Sequence, residues 1–265
     1  MQNESLELSL LSIFSILSFF TFFLIQKYSH KIFGKIIDDD DFNKPQSFHY
    51  NEVPRSGGLA AIISFLIFIF LSDLIFSTTN LDYLVIGLGL FIIGFLEDIK
   101  FKLSPKARLI TMAIFLFVAI RLFSVGINSI DLIFLNYILT FDLFLVIFIL
   151  FCFLFIVNGS NLIDGFNGLL AFHLIIINSI LLYINVHSGL QMFAVLITAQ
   201  IIILLIFLLF NFPKAKIFLG DGGAYFFGSV TALNVINTNN LNPGISSFFF
   251  CILFFYLFFE VFFSF

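Results

Sequence analysis

The sequence predicts an all-α fold, a polytopic membrane helix bundle of about nine transmembrane helices with its N-terminus outside. Three observations carry that expectation. Hydrophobic residues make up 61% of the 265-residue chain and charged residues only 11%, too little polar surface to cover a soluble globule. Apolar runs near the roughly 20 residues needed to cross a bilayer core of about 30 Å recur along its length. The short breaks between them hold most of the charge, and of the 12 Lys and Arg only Arg121 lies outside alternate breaks.

On that length ruler the spans fall at 6–27, 57–77, 81–96, 107–124, 139–157, 168–185, 190–210, 222–237 and 245–265. Each reads as a helix, because an open strand would leave its amides unpaired in hydrocarbon. The first span has no basic residue before it and no small-residue cleavage site after it, so a retained helix is expected rather than a signal peptide. Gly87, Gly89 and Gly94 interrupt the third and would let a neighbouring helix approach closely. Lys27, Lys31, Lys35, Lys44 and Arg55 follow span one, Lys100, Lys102, Lys106 and Arg108 follow span three, and Lys214 and Lys216 follow span seven. The positive-inside rule then puts those loops, and the one after span five, in the cytoplasm. Residues 1–265 read as a single membrane domain without a soluble domain, linker or internal repeat. Cys152 and Cys251 sit in apolar runs far from other ligand residues and are expected to be inert. The net charge of −4 points to no particular partner, and no nucleic acid is expected.

Three breaks on the expected cytoplasmic side carry chemistry. The first is EDIKFKLSPKARL (97–109): Glu97 and Asp98 close one helix, and Ser104 and Pro105 suit the cap and first position of the next. Free amides at that helix start, with Lys106 and Arg108, would face a phosphate; a snorkelling charged loop is the plainer alternative. The second is NGSNLIDGFNGL (158–169), in which Asn158, Asn161, Asp164 and Asn167 recur every third residue and would cluster on one side of a helical turn. It has no Lys or Arg, so ligand binding explains it better than orientation. Amide and carboxylate oxygens are hard ligands for Mg²⁺, and amides also read nucleobase edges. Helix capping beside flexible glycines is the alternative there. The third, NFPKAKIFLGDGGAY (211–225), joins Lys214, Lys216 and Asp221 to Gly220, Gly222 and Gly223, which leave the backbone room to approach a ligand. The acidic run Asp38 to Asp41 reads as a solvated loop.

PRSGG (54–58) and these three breaks, taken in order, resemble the loops of the polyprenyl-phosphate N-acetylhexosamine-1-phosphate transferases. That family includes undecaprenyl-phosphate GlcNAc-1-phosphate and phospho-N-acetylmuramoyl-pentapeptide transferases. The resemblance covers residues 45–265 and extends to SFHYNEVPRSGG, with His49 and Arg55 at matching places. It implies transfer of a sugar-1-phosphate from a UDP-sugar to undecaprenyl phosphate with release of UMP, the initiating step of a cell-surface glycan. The implied setting is the bacterial inner membrane with the active site facing the cytoplasm. Mg²⁺, or Mn²⁺ in its place, is the implied cofactor. The partners would be the UDP-sugar, the polyprenyl phosphate and the bilayer, and helix faces with small residues would suit a homodimer.

The same resemblance assigns residues. Glu97 and Asp98 fall on an acidic pair that is usually two Asp, and Asp98 would take a proton from the lipid phosphate or position it. Lys106 matches a phosphate contact, with Arg108 beside it. Asn161 and Asp221 would hold Mg²⁺ against the diphosphate, Asp164 matches an active-site acid, and Asn167 a nucleotide contact at which many members have Asp. Asn158, Arg55 and His49 complete the expected substrate site. Family members continue beyond a segment resembling FFEVFFSF (258–265) into a further loop and helices, so a truncated chain is expected. An inactive family member and a membrane transporter are the other open readings.

Overall fold

The computed structural model describes residues 2–33, 38–39, 53–101 and 103–264. Within them the regular structure is helical apart from a two-residue antiparallel ladder between β1 (Asp38–Asp39) and β2 (Val53–Pro54). The helices are α1 (Gln2–Phe33), α2 (Gly57–Phe76), α3 (Leu81–Asp98), α4 (Pro105–Phe123), α5 (Ile133–Leu139), α6 (Asp142–Ile163), α7 (Leu169–His187), α8 (Gln191–Asn211), α9 (Gly220–Leu241), α10 (Ser247–Leu253) and α11 (Phe255–Ser264).

Each predicted apolar run is helical, with two differences in detail. The run expected at 245–265 is divided into α10 and α11, which meet at 58°. The run expected from 139 begins instead at Asp142, because Thr140 ends α5 and turns its hydroxyl back onto the Tyr137 carbonyl at 2.7 Å. Among the described residues α1, α2, α6, α7 and α8 hold helices long and apolar enough to cross a membrane, and the bent α10–α11 pair would make a sixth. The other three predicted spans are more polar. Asp82, Glu97 and Asp98 lie on α3, and Lys106, Arg108 and Arg121 on α4; α9 carries Thr231, Asn234, Asn237, Thr238, Asn239 and Asn240.

The polar content of α9 is explained by its place. It packs against α2, α3, α6 and α7, and its buried residues run almost unbroken from Gly220 to Asn239. Thr231, Asn234 and Thr238 share one stripe at helical spacing. Asn234 donates to Asn178 of α7 at 2.8 Å and to Gln200 of α8, Asn178 donates to Thr231 at 3.3 Å, and Asn185 donates to Thr238 at 2.9 Å. Away from water such groups must find partners on other helices. The stripe therefore sets the rotation of α9 about its axis, and with it the direction in which its first turn points.

Alternating helices give the bundle two distinct ends. At one, Asn237 of α9 donates to Tyr83 at 3.0 Å, Asn240 accepts from the Asn128 amide at 2.9 Å, and Arg121 pairs with Asp142. At the other, the end of α3, the starts of α4 and α7, the end of α6 and the start of α9 converge with the 54–58 segment.

Candidate active site

The PRSGG segment is a backbone clasp. The Phe218 amide donates to the Pro54 carbonyl at 2.9 Å, and the Gly57 and Gly58 amides donate to Phe218 and Leu219, each at 2.8 Å. A Cβ on Gly58 would lie 2.5 Å from the Gly223 nitrogen, and one on Gly94 2.6 Å from the backbone of Asp221. Glycine at these positions lets α2 and α3 press directly on the first turn of α9. Arg55 is thereby brought beside that turn.

Four charged side chains meet there. Asp98 is 3% exposed; its Oδ1 accepts from the Asp221 amide and its Oδ2 from the Gly222 amide, both at 2.9 Å. Arg55 Nη1 lies 3.6 Å from Asp98 Oδ1 and 3.9 Å from Asp221 Oδ1. Arg108 Nη1 donates to Asp221 Oδ2 at 2.9 Å, and its guanidinium stands over the Tyr225 ring, 5.8 Å from the centroid. Two guanidinium groups thus balance two carboxylates. Local chemistry aims Arg108: Ser104 caps α4 by accepting from the Ala107 amide at 3.2 Å, with Pro105 in the first turn, as the sequence predicts. Residues two apart on a helix point to nearly opposite sides, so Lys106 is exposed and has no ion pair among the described residues.

Burial, and then the neighbouring Asp221 carboxylate, push Asp98 upward, against the opposing pull of the Gly222 amide, Arg55 and the Asp221 amide. Asp164, at the C-terminal end of α6, is raised well above the ordinary carboxylate range by burial and then by Asp221 and Asp98, with Arg55 acting the other way. The second break therefore shares the same electrostatic centre. Asn158 and Asn161 lie on the last turns of α6, which runs on to Ile163. Asn167 donates from Nδ2 to the Pro213 carbonyl at 3.0 Å and so ties the second break to the third.

Several polar atoms here are buried without a hydrogen-bond partner: Glu97 Oε2, Asn161 Nδ2, Asn167 Oδ1 and Tyr225 Oη. Unpaired buried polar groups are costly, so the polar atoms of a ligand would find partners here. Tyr225 was not singled out by the sequence, although it stands one helical turn after Asp221 and so on its side of α9. Asn158 turns back onto the Leu154 carbonyl of its own helix at 2.7 Å. His49 lies outside the described residues.

Among the described residues no three His, Cys, Asp or Glu side chains group closely enough to hold a metal by themselves. Mg²⁺ does not require that, since it takes one or two protein oxygens and completes its shell from phosphate and water. Asp221 and Glu97, whose Oε2 is unpartnered, both act on Tyr225 electrostatically, and with Asn161 they are the candidate oxygen donors.

Residues 81–239 match the model of the family described as Glycosyl transferase family 4. The chain is 34% identical over 189 residues to a Sulfolobus acidocaldarius protein provisionally named UDP-N-acetylglucosamine–dolichyl-phosphate N-acetylglucosaminephosphotransferase, covering 68% of this chain and 57% of that one. It is 30% identical over 237 residues to the phospho-N-acetylmuramoyl-pentapeptide-transferase of Staphylococcus saprophyticus, covering 82% of this chain and 71% of the relative. A provisionally named undecaprenyl-phosphate N-acetylglucosaminyl 1-phosphate transferase of Bacillus subtilis is 31% identical over 201 residues, 71% of this chain and 52% of its own. The chain therefore spans between about half and three quarters of the length of these relatives.

Proposed function

The chain belongs to glycosyl transferase family 4, and on that premise we propose that it moves an N-acetylhexosamine-1-phosphate from a UDP-sugar to undecaprenyl phosphate. UMP is released, and the lipid-linked sugar starts a cell-surface glycan at the cytoplasmic face of a bacterial inner membrane. The observation that supports this reading is the meeting of Arg55, Asp98, Arg108 and Asp221 at one end of an apolar bundle, beside buried polar atoms that lack partners.

The reaction forms a bond from a lipid-phosphate oxygen to the β-phosphorus of the UDP-sugar and breaks the bond from that phosphorus to the oxygen leaving with UMP. Several negative oxygens crowd together, so the site must supply positive charge and alignment. Arg55 and Arg108 offer flat forks that match phosphate oxygens. Lys106 adds a mobile charge at the exposed rim. Asn161 and Asp221 would hold Mg²⁺, or Mn²⁺, which when bound would supply positive charge to the diphosphate oxygens. Asp164 is a further acidic side chain of the active site, and Asn158, Asn167 and His49 contact the nucleotide sugar.

The membrane arrangement belongs to the same proposal: nine spans, N-terminus outside, with α3 and α4 also crossing and α9 at the centre among α2, α3, α6 and α7. The site then lies at the headgroup level, where a polyprenyl phosphate reaches it by lateral diffusion. The deciding experiment incubates purified protein with Mg²⁺, undecaprenyl phosphate and a panel of UDP-sugars and measures UMP release. Turnover with one sugar is expected, and Asp221→Asn should lose metal-dependent turnover while keeping its melting temperature. A folded protein that releases UMP from none of them overturns the proposal.

A further inference from the structure

We infer that Asp98 is a positioning residue: it caps the first turn of α9 and so holds the Asp221 carboxylate between Arg55 and Arg108, and it is not the group that takes a proton from substrate. The first amides of any α-helix have no partner within the helix. On α9 the capping position is Leu219, which offers no side-chain acceptor. Asp98, 123 and 124 residues away in the chain, fills both vacancies at 2.9 Å, one carboxylate oxygen to each of the Asp221 and Gly222 amides. A carboxylate there also meets the positive end of the helix dipole.

The surrounding glycines are shaped to this contact. Gly220 adopts φ +75°, and a Cβ on it would lie 2.6 Å from Asp98 Oδ2. Gly94, one turn before Asp98 on the same side of α3, lies directly on the Asp221 backbone. A general base must present a lone pair within reach of the proton that it removes. The Asp98 side chain is 1% exposed, both of its oxygens are held by amides, and Oδ1 also faces Arg55. Glu97 differs: it is half-buried and its Oε2 is unpartnered. It is the member of the acidic pair left to face a ligand.

The inference rests on the transferase reading only for its kinetic test. The full chain in detergent is compared with Asp98→Asn, Asp98→Ala and Gly220→Ala by amide hydrogen exchange across 219–224, with α7 as an internal reference for folding. Exchange at Asp221 and Gly222 should accelerate at least about tenfold in Asp98→Ala and Gly220→Ala. Asp98→Asn, whose carboxamide has one acceptor oxygen, should show an intermediate effect. In UMP release, Asp98→Asn should raise the half-saturating Mg²⁺ concentration by roughly 10- to 100-fold, lower kcat less, and leave the acid limb of the pH profile in place. Unchanged exchange in Asp98→Ala overturns the inference. So does a kcat loss of about 10²- to 10⁴-fold in Asp98→Asn with unchanged Mg²⁺ dependence, the mark of a lost base. If Asp98→Ala does not fold, Asp98→Asn and Gly220→Ala decide. If the unaltered chain releases no UMP, the transferase reading fails and the exchange data alone judge the cap.

Discussion

Arg108 of α4 and Asp221 of α9 are joined at 2.9 Å across 113 residues of chain, and Arg55 approaches the other oxygen of the same carboxylate at 3.9 Å. A carboxylate shared by two guanidinium groups marks where an anionic substrate exchanges partners with the protein. Removing the fork in Arg108→Ala should lower kcat/KM for the UDP-sugar by about 1.5–3 kcal/mol, roughly 10- to 150-fold. Arg108→Lys should recover only part of this, because an ammonium cannot make the flat two-point contact. Steady-state UMP release measures both, and full recovery by Lys would leave charge alone as the requirement.

Gly94→Ala tests the contact between α3 and α9. Its Cβ would meet the Asp221 backbone at 2.6 Å, and backbone cannot swing aside as a side chain can. The expected cost is about 1–3 kcal/mol of stability and loss of turnover as the first turn of α9 is displaced. Gly244→Ala is the control, since nothing lies within 4 Å of its added Cβ. A melting curve in detergent should shift for the first and not for the second.

The buried trio Asn178, Gln200 and Asn234 predicts an asymmetry between single and combined changes. Asn234→Leu strands acceptors on both Asn178 and Gln200, at about 1–3 kcal/mol for each group left unsatisfied. Changing all three residues to Leu removes donors and acceptors together and should restore most of the lost stability. Thermal unfolding of the unaltered chain, Asn234→Leu and the triple variant distinguishes the cases; a triple variant less stable than Asn234→Leu would mean that shape, not pairing, governs this layer.

Stability should fall as pH rises. Asp164, raised well above the usual range, binds a proton more tightly in the fold than an unfolded Asp at about 3.9. Its stabilising contribution is complete below the unfolded value and is lost as pH climbs through the folded one. In chelator-containing detergent buffer the melting temperature should decline as pH rises above about 5. Asp164→Asn should flatten that decline, and a slope as steep as in the unaltered chain would exclude Asp164 as its source.

Helix ends are legible in this sequence because charges are excluded from hydrocarbon, so Glu97, Lys106 and Asp221 announce where apolar runs stop. The start of α4 is legible for a local reason: Ser104 and Pro105 contain the whole capping device within four residues. The bend between α10 and α11 carries no Gly or Pro to betray it. The cap on α9 is hidden because the residue that makes it comes from another helix. Asn178, Gln200 and Asn234 read singly as isolated polar residues in apolar runs, and only packing reveals that they address one another. Tyr225 is obscured for a related reason, its phenol being one aromatic among the many that fill the core.

The polar stripe of α9 bears on how the protein is made. A helix carrying Thr231, Asn234 and Thr238 is a poor candidate to enter lipid alone. Its hydrogen-bonding hosts on α7 and α8 precede it in the chain and leave the ribosome first. Biogenesis thus favours delivery of the last-made half of the reaction centre into a cradle already assembled, and an error in the cradle would surface as failed insertion of α9 before any chemistry could be assayed.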